Sequence, residues 1–571
     1  MKRFRSIILP MQGHSKSQLH WLYNTASNIE EKEKIFSYEG FRFWFAGRGH
    51  RIPEKLLLYV EIPAALVGER LISNMVPLES YLLSYLSPII NDLSKEYVNT
   101  AKNVREKAQF SAQTVNEHVI KRNGMLYDSD TQCFIFKINF TVPLVNALSV
   151  NAKLAIKAIQ DILAHMKDAM KLLNKEEIER HLLTYSKQQQ IRQYIKQNHF
   201  CVFVADGSIL PRDNGTNKPM KNVIPFNSPK DLRISIPFLD GTSISGMGIK
   251  QGVTVITGGG YSGKSTLLNA IEMGIYNHVP GDGREFVITD DTALKIYAED
   301  GRPVHNIDLS PFFKYLPNGI EIDRFSTLHA SGSVSQAVNI IEAMAGKSRL
   351  LLIDEDRSAT NFMIRDANIR KIVKREPIIP FTDRVRGLYT EREVSTILVI
   401  GSSTEYLSYA DTVILMDDYI AKNITDKVKT LDLAECRVEE TRAKWMEKRY
   451  LIPKQTYEPF IYFNYISNEN TKKIILDEYN ADITLLTALT SENQLNTLTY
   501  MMERLLTDQN SDRADLMEVI YKLFEDMYLN QIGEPSTSFN FKMESWFEAV
   551  RPIDVFCCVS RMRGLSFMNE K

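Results

Sequence analysis

Eight consecutive residues hold the densest chemistry in the chain: Gly258-Gly-Gly-Tyr-Ser-Gly263-Lys264-Ser265. They fit the spacing G-x-x-x-x-G-K-[ST], in which glycines let backbone N–H groups turn inward toward phosphate oxygens. Gly258, Gly260 and Gly263 would line that cradle, Lys264 would reach the β- and γ-phosphates, and the Ser265 hydroxyl would coordinate Mg2+. Thr266 continues into the first turn of a helix, whose free N–H groups and dipole add partial positive charge. The bland reading is a glycine-rich turn with an exposed lysine. Context argues against it, because the apolar run VTVIT (253–257) comes immediately before and the helical pattern STLLNAIEMGI immediately after. A second Gly-Lys-Ser, at 346–348, has Ile341 where the first glycine belongs and precedes a strand, so it reads as a turn.

Two further groups suit the same chemistry. The run Arg349-Leu-Leu-Leu-Ile-Asp354-Glu355 is apolar and ends in two acids. Beside a phosphate loop, Asp354 reads as the carboxylate that holds magnesium, and Glu355 as the catalytic base that orients or deprotonates a water, with Lys264 as its catalytic companion. The segment Ala330-Ser331-Gly332-Ser333-Val334-Ser335-Gln336 opens a helical stretch, and Ser331 precedes Asp354 by 23 residues. A serine-glycine turn at a helix start is another anion cradle, with Ser331, Gly332 and Ser333 as its residues. An ordinary N-cap would suit serine equally.

Holding these groups together requires strands that end at one level. VTVIT (253–257), LLLI (350–353), TILVI (396–400) and TVILM (412–416) are near-continuous apolar runs separated by helical segments, the pattern of a mostly parallel sheet buried on both faces. Residues 1–200 read as a mixed α/β domain, with strands at FSYEGFRFWFAG, EKLLLYVEI and CFIFKINFTV and helical spacing over 81–122 and 151–198. After about 430 the chain turns helical and charged, with helices near 490–507 and 513–528. Three domains are therefore expected: 1–200 α/β, 201–430 the phosphate-binding core, and 431–571 mainly helical.

Composition narrows the class. The 571 residues are 44% hydrophobic and 24% charged, which excludes wholesale disorder, and a net charge of −1 favours neither a nucleic-acid-coating protein nor an acidic tail. Five scattered cysteines without a C-x-x-C pair make a disulfide framework or structural zinc unexpected and point to a reducing compartment. No apolar stretch is long enough to span a membrane. The first acid is Glu30, and Lys2, Arg3, Arg5 and Lys16 precede it. That start reads as an ordinary first helix or as an import signal, so the expected location is cytoplasmic, or mitochondrial in a eukaryote.

A phosphate loop, then a serine-glycine turn, then an Asp-Glu strand end resembles the ABC-type ATPases. Their signature would correspond to SGSVSQ (331–336), and Ser358-Ala359-Thr360-Asn361 stands where they carry the D-loop, which touches the opposite subunit. FVADGSILPR, GGGYSGKSTLL, YNHVPGDGREFVITD, ASGSVSQAVNI and STILVIG narrow the resemblance to the predicted ATPases of the ABC class, a family that includes a trypanosome mitochondrial RNA-binding ATPase. The likeness is dense from 201 to about 425. It implies an ABC-type P-loop NTPase core that binds ATP with Mg2+, hydrolyses it, and pairs as a homodimeric nucleotide-gated clamp with ATP sandwiched between the loop of one chain and the signature of the other.

Two departures stand out, and they make slow turnover the expectation while leaving nucleotide binding untouched. Where such ATPases have a histidine after the strand at 396–400, this chain has Gly401-Ser402-Ser403, and no Q-loop glutamine is evident, which leaves Asp290, Asp291 or Asp308 as substitutes. RNA is the expected target of the clamp through the basic segment Arg365, Arg370, Lys371, Lys374 and Arg375. Arg561 and Arg563 would either add to that surface or lie in a half-buried helix. The alternative function is a regulatory or assembly ATPase acting on protein partners without nucleic acid. Transport, coiled-coil DNA repair and small-molecule kinase roles fit less well, for want of the missing loops, of long heptads and of any need for the SGSVSQ segment.

Overall fold

The computed structural model describes residues 1–22, 35–47, 54–68, 75–100, 107–146, 148–365, 372–373, 375–431, 433, 443–452, 463–468, 471–476, 479–507, 514–527 and 546–569. The chain forms two compact units, one of Met1–Leu183 with Glu525–Ala549, the other of Thr184–Phe524 with Val550–Lys571. The texture change near 200 thus falls close to a unit boundary, whereas 431–524 and 550–571 share their unit with the phosphate-binding core.

Alternating apolar residues build the first unit. Strands β1 (Phe36–Tyr38), β2 (Phe41–Gly47), β3 (Lys55–Pro63), β4 (Gln109–Ala112), β5 (Met125–Asp128) and β6 (Cys133–Thr141) form an antiparallel sheet in the order β1-β2-β3-β6-β4, with β5 also on β6. Phe41, Phe43 and Phe45 of β2 are buried while Arg42 is exposed, as the two-residue period of a strand demands. The first helix, α1 (Lys2–Ile8), is a core element: Phe4 is fully buried and meets the rings of Phe36 and Phe43 edge-on at 5.3 and 5.7 Å. Helices α2 (Val76–Thr100) and α3 (Ala152–Lys171) add Leu82, Leu86, Ile159 and Ile162 to the same core. Of the helical spacing expected over 81–122, α2 accounts for residues up to Thr100, whereas 109–112 is strand β4. Arg122 bridges to Glu548 through a buried ion pair of 2.8 Å, which brings 546–549 into this unit. Helix α4 (Lys175–Gln197) crosses the division between the units.

The second unit holds the expected parallel sheet. Strands β7 (Phe200–Ala205), β8 (Arg233–Pro237), β9 (Ser243–Lys250), β10 (Val253–Gly258) and β11 (Val287–Thr289) come first, with helix α5 (Lys264–Met273) after β10. β12 (Leu294–Ile296), β13 (Val304–Ile307), β14 (Phe325–Thr327), α6 (Gly332–Ala345), β15 (Leu350–Asp354), α7 (Thr360–Met363), α8 (Phe381–Arg392), β16 (Ser395–Val399), β17 (Thr412–Asp417), β18 (Ile420–Asn423) and α9 (Thr425–Lys429) follow. Six strands pair in the order β12-β15-β16-β10-β17-β18, all parallel except β18. Every residue of β15 and β16 is buried, the expected state of a parallel strand covered on both faces. A separate antiparallel sheet runs β11-β7-β9-β8.

Beyond 430, β19 (Arg449–Ile452), β20 (Phe463–Asn468), β21 (Thr471–Leu476), β22 (Tyr479–Asp482) and β23 (Ser566–Asn569) accompany α10 (Glu492–Thr507), α11 (Leu516–Asp526) and α12 (Pro552–Ser560). The helices expected there are present. The strands are an addition: β20-β21-β22 form one sheet and β19-β23 another.

A buried charge network ties these later segments to α6. Glu342, in the last turn of that helix, pairs with Arg302 and, at 2.6 Å, with the fully buried Arg449, whose guanidinium also lies 4.0 Å over the Phe567 ring. Arg561 pairs with Glu299 at 2.6 Å, and Asn339 donates to the same carboxylate at 2.8 Å. Burial would raise the Glu342 carboxyl, but Arg302, Arg449 and Arg561 outweigh it and hold it below the usual carboxylate value. Arg563 donates to the carbonyls of Leu328 and Gly301. Arg561 and Arg563 therefore serve internal partners, and the basic-surface reading does not hold for them. Removing one member strands the others, so Glu342→Gln is expected to lower the unfolding free energy by about 3–5 kcal/mol, read as a shifted urea midpoint. Lys429→Ala, which breaks only the exposed pair with Asp426, should move it by less than about 0.5 kcal/mol.

Candidate nucleotide site

β10 runs into the phosphate loop and the loop into α5. Gly258 has φ 148°, and a Cβ there would overlap the Met416 carbonyl oxygen of β17. Gly263 caps α5 at φ 99°, and a Cβ there would lie 3.2 Å from the Tyr419 ring. Both glycines are required by close approach as well as by φ. Gly259 and Gly260 are exposed with open space around them, so at Gly260 neither crowding nor a positive φ demands glycine. The Lys264 ammonium donates to the Gly258 and Gly259 carbonyls, each at 2.7 Å, which keeps it over the loop. Ser262 is buried, and its hydroxyl has no hydrogen-bond partner among the described residues, an orphan donor inside the loop. Thr266 is half-buried in the first turn of α5.

Ser265 Oγ stands 3.5 Å from Asp354 Oδ2, so the hydroxyl and carboxylate expected at magnesium are brought together. These are hard oxygen donors, and a single carboxylate with a hydroxyl leaves room for phosphate oxygens and water, the usual arrangement for Mg2+. No cluster of three or more acidic, His or Cys ligands occurs among the described residues.

Glu355 follows Asp354 and is held by the segment after β16. Its Oε2 accepts the N–H of Gly401 at 2.6 Å and of Ser402 at 3.1 Å, and its Oε1 accepts the hydroxyls of Ser402 at 3.1 Å and of Ser403. Burial pushes this carboxyl up, but the hydrogen bonds from Ser403, Gly401 and Ser402 prevail and leave it below the usual glutamate range. The sequence marked these residues only by the histidine they lack. Their partner became visible once β16 was seen beside β15.

Ser331 is the N-cap of α6, yet its exposed hydroxyl makes no capping bond. The ordinary N-cap reading therefore fails, and the first N–H groups of α6, with the half-buried Gly332 and Ser333, lack a side-chain cap. A Cβ on Gly332 would meet Asp300 Oδ1 at 3.2 Å and Ala298 Cβ at 3.5 Å, which places the turn against the segment following β12. Ser335 holds that contact by accepting the Glu299 N–H at 2.8 Å. Gln336 donates to Ser358 Oγ at 2.9 Å and accepts the Ala359 N–H at 2.8 Å, linking the helix to 358–361.

Of the proposed Q-loop substitutes, Asp290 and Asp291 pair with Arg349 at 3.0 and 3.6 Å, at the start of β15. That is about 16 Å of strand away from Asp354, and they do not reach the site. Asp308 accepts the Ser310 N–H within its own turn. In the basic segment, Arg370, Lys371 and Lys374 lie outside the described residues, Arg375 is exposed, and Arg365 pairs with Glu376 at 2.7 Å.

The ABC-ATPase family model for a P-loop domain matches residues 174–450, which include every strand of the parallel sheet. The chain carries an ABC-type P-loop ATPase domain. Uncharacterized protein MJ1628 of Methanocaldococcus jannaschii is 35% identical over 222 residues, 38% of this chain and 47% of the relative, so the match spans just under half of that protein. Among solved structures, cbiO1 from Clostridium perfringens, part of the ABC transporter complex cbiONQ, is 15% identical over 39% of this chain and 87% of its own, with a TM-score of 0.23. The ADP conformation of MJ1267, an ATP-binding cassette of an ABC transporter, is 17% identical over 34% and 92%, with a TM-score of 0.22. No described helix of the chain is long and apolar enough to cross a membrane.

The crowding at Gly258 gives the ABC-type domain a direct test. With ATP at about 100 times its dissociation constant the unaltered chain should gain about 2.7 kcal/mol, seen as a raised melting temperature. Gly258→Ala should abolish that rise; an undiminished rise would place the nucleotide elsewhere.

Proposed function

We propose that the chain binds ATP with Mg2+ and hydrolyses it as a homodimeric, nucleotide-gated clamp. Gly258, Gly260, Gly263, Lys264, Ser265 and Thr266 bind the phosphates of one ATP, and Ser331, Gly332 and Ser333 of the facing chain complete its site. Ser265 and Asp354 hold the magnesium, which when bound offsets the charge of the phosphates. Glu355 takes the proton of the attacking water as the water oxygen bonds to the γ-phosphorus and the bond to the ADP oxygen breaks.

The observation that carries this reading is the spacing of the two cradles on one chain. Both lie at the same edge of the sheet, but the serine turn stands over the ends of β12 and β15 and the phosphate loop over β10, two to three strands away. At about 4.8 Å per strand they are roughly 10–14 Å apart, too far to embrace one triphosphate. A second copy, related by a two-fold axis, meets the condition.

RNA is the target we attach to the clamp, on the family resemblance and on the basic segment Arg365, Arg370, Lys371, Lys374 and Arg375. One observation favours the second reading, a regulatory or assembly ATPase with protein partners: Arg365, Arg561 and Arg563 are engaged internally. We place either activity in the cytoplasm, or in mitochondria of a eukaryotic source.

Ser331→Arg is expected to abolish ATP-dependent dimerisation by sedimentation while ATP affinity stays within about twofold; parallel loss of both would reject the clamp. For the target, RNA affinity should fall steeply with salt, with a slope near −0.7 per phosphate contacted. A flat salt response, or binding unaffected by Arg370→Glu with Lys371→Glu, would favour the protein-directed alternative.

A further inference from the structure

Three segments emerge side by side at the carboxyl edge of the parallel sheet. β15 delivers Asp354 and Glu355, β16 delivers Gly401-Ser402-Ser403, and β10 delivers the phosphate loop. β16 lies between the other two, and its Val399 is in register with Asp354. The serine segment therefore stands between Glu355 and the loop.

The two oxygens of Glu355 meet different kinds of donor. Oε2 receives two backbone N–H groups, from Gly401 at 2.6 Å and Ser402 at 3.1 Å. Oε1 receives two hydroxyls, from Ser402 at 3.1 Å and from Ser403. A carboxylate offers about four lone-pair sites, and these four donors take them up. An amide N–H is fixed by its backbone, whereas a hydroxyl turns about its C–O bond and can donate elsewhere. Release of Oε1 is thus a side-chain rotation, while release of Oε2 would need the loop to move.

We infer that Ser402 and Ser403 are positioning residues for Glu355, in which the amide pair anchors Oε2 and the hydroxyl pair aims Oε1 as the oxygen that receives the proton. The inference rests on the reading of Glu355 as the base. Turning one hydroxyl away opens a lone pair on Oε1. The proton of the attacking water passes to that oxygen, the water oxygen bonds to the γ-phosphorus, and the electron pair of the cleaved bond leaves with ADP. The serines give up and take no net proton.

Steady-state ATP hydrolysis by the full chain tests this. Ser402→Ala and Ser403→Ala are each expected to lower kcat about 10- to 100-fold, with KM and ATP affinity within about twofold, and Ser403→Thr should restore most of the loss. Because the serines act through the carboxylate, adding Ser403→Ala to Glu355→Gln should change the residual rate by less than about twofold. An equal loss in both backgrounds, an effect confined to KM, or an unchanged kcat in both alanine variants overturns the inference and leaves Glu355 as base. If Glu355→Gln itself leaves turnover intact, the base assignment falls and this inference with it, while ATP binding is decided separately by Lys264→Ala. Melting temperatures within a few degrees of the unaltered chain exclude misfolding at these surface serines.

Discussion

Parallel pairing of β15, β16 and β10 is the constraint on which the site depends. Parallel strands in register end on one edge, so whatever follows each of them is delivered to the same place. Asp354 meets Ser265, and Glu355 meets Gly401–Ser403, without any direct contact in sequence. The apolar runs that lock the strands together contain no functional group. Their contribution is position, and burial on both faces fixes it to within the slack of a packed core.

A second layer of constraint acts through α6. Its first turn carries Ser331–Ser333, and its last turn carries Glu342, held by arginines from elsewhere in the chain. Ser335 and Gln336, one turn in, clasp the segments after β12 and β15. A shift of the serine turn would therefore load the charge network and the 358–361 loop together. Buried ion networks are poor sources of net stability, because desolvation offsets most of the attraction. Their use here is in registry: a helix that carries the serine turn at one end is tied in its last turn to groups that tolerate one arrangement.

The same distinction explains what the sequence revealed. Local patterns were legible: the glycine spacing of 258–265, the alternation of Phe41, Phe43 and Phe45, and the continuous runs of β10, β15, β16 and β17, each of which reports its own burial. Pairings across the fold were not. Glu342 and Arg449 are 107 residues apart and Glu299 and Arg561 are 262 apart, so no window contains both charges. Gly401-Ser402-Ser403 stands out in sequence only as a departure from a pattern; the pairing of β16 with β15 brings Ser402 and Ser403 to Glu355. β21, which begins Thr471-Lys-Lys, escaped notice because its charges mask the alternation that marks a strand. β4 escaped because four residues within a stretch of helical spacing carry too little periodicity to overrule it.

Binding and turnover also separate physically. The loop from Gly258 to Ser265 is built by β10, α5 and the neighbouring turn of β17 and β18, where Asp418 and Tyr419 both adopt positive φ. Such a conformation is unfavourable for an aromatic residue, and Tyr419 holds it against Gly263, at the N-terminus of α5. Strain of that kind persists only where surrounding contacts over-determine it. The turn that carries Tyr419 thus braces the Gly263 end of the phosphate cradle, apart from Glu355. Glu355 is held instead by two amides and two hydroxyls of the segment after β16, and the serine turn by a helix anchored elsewhere. Under the proposed function, such a chain would lose catalysis or dimer contact and still hold nucleotide, because among the described residues the hydrogen bond between Ser265 and Asp354 is the one that joins the loop to either of the other two groups.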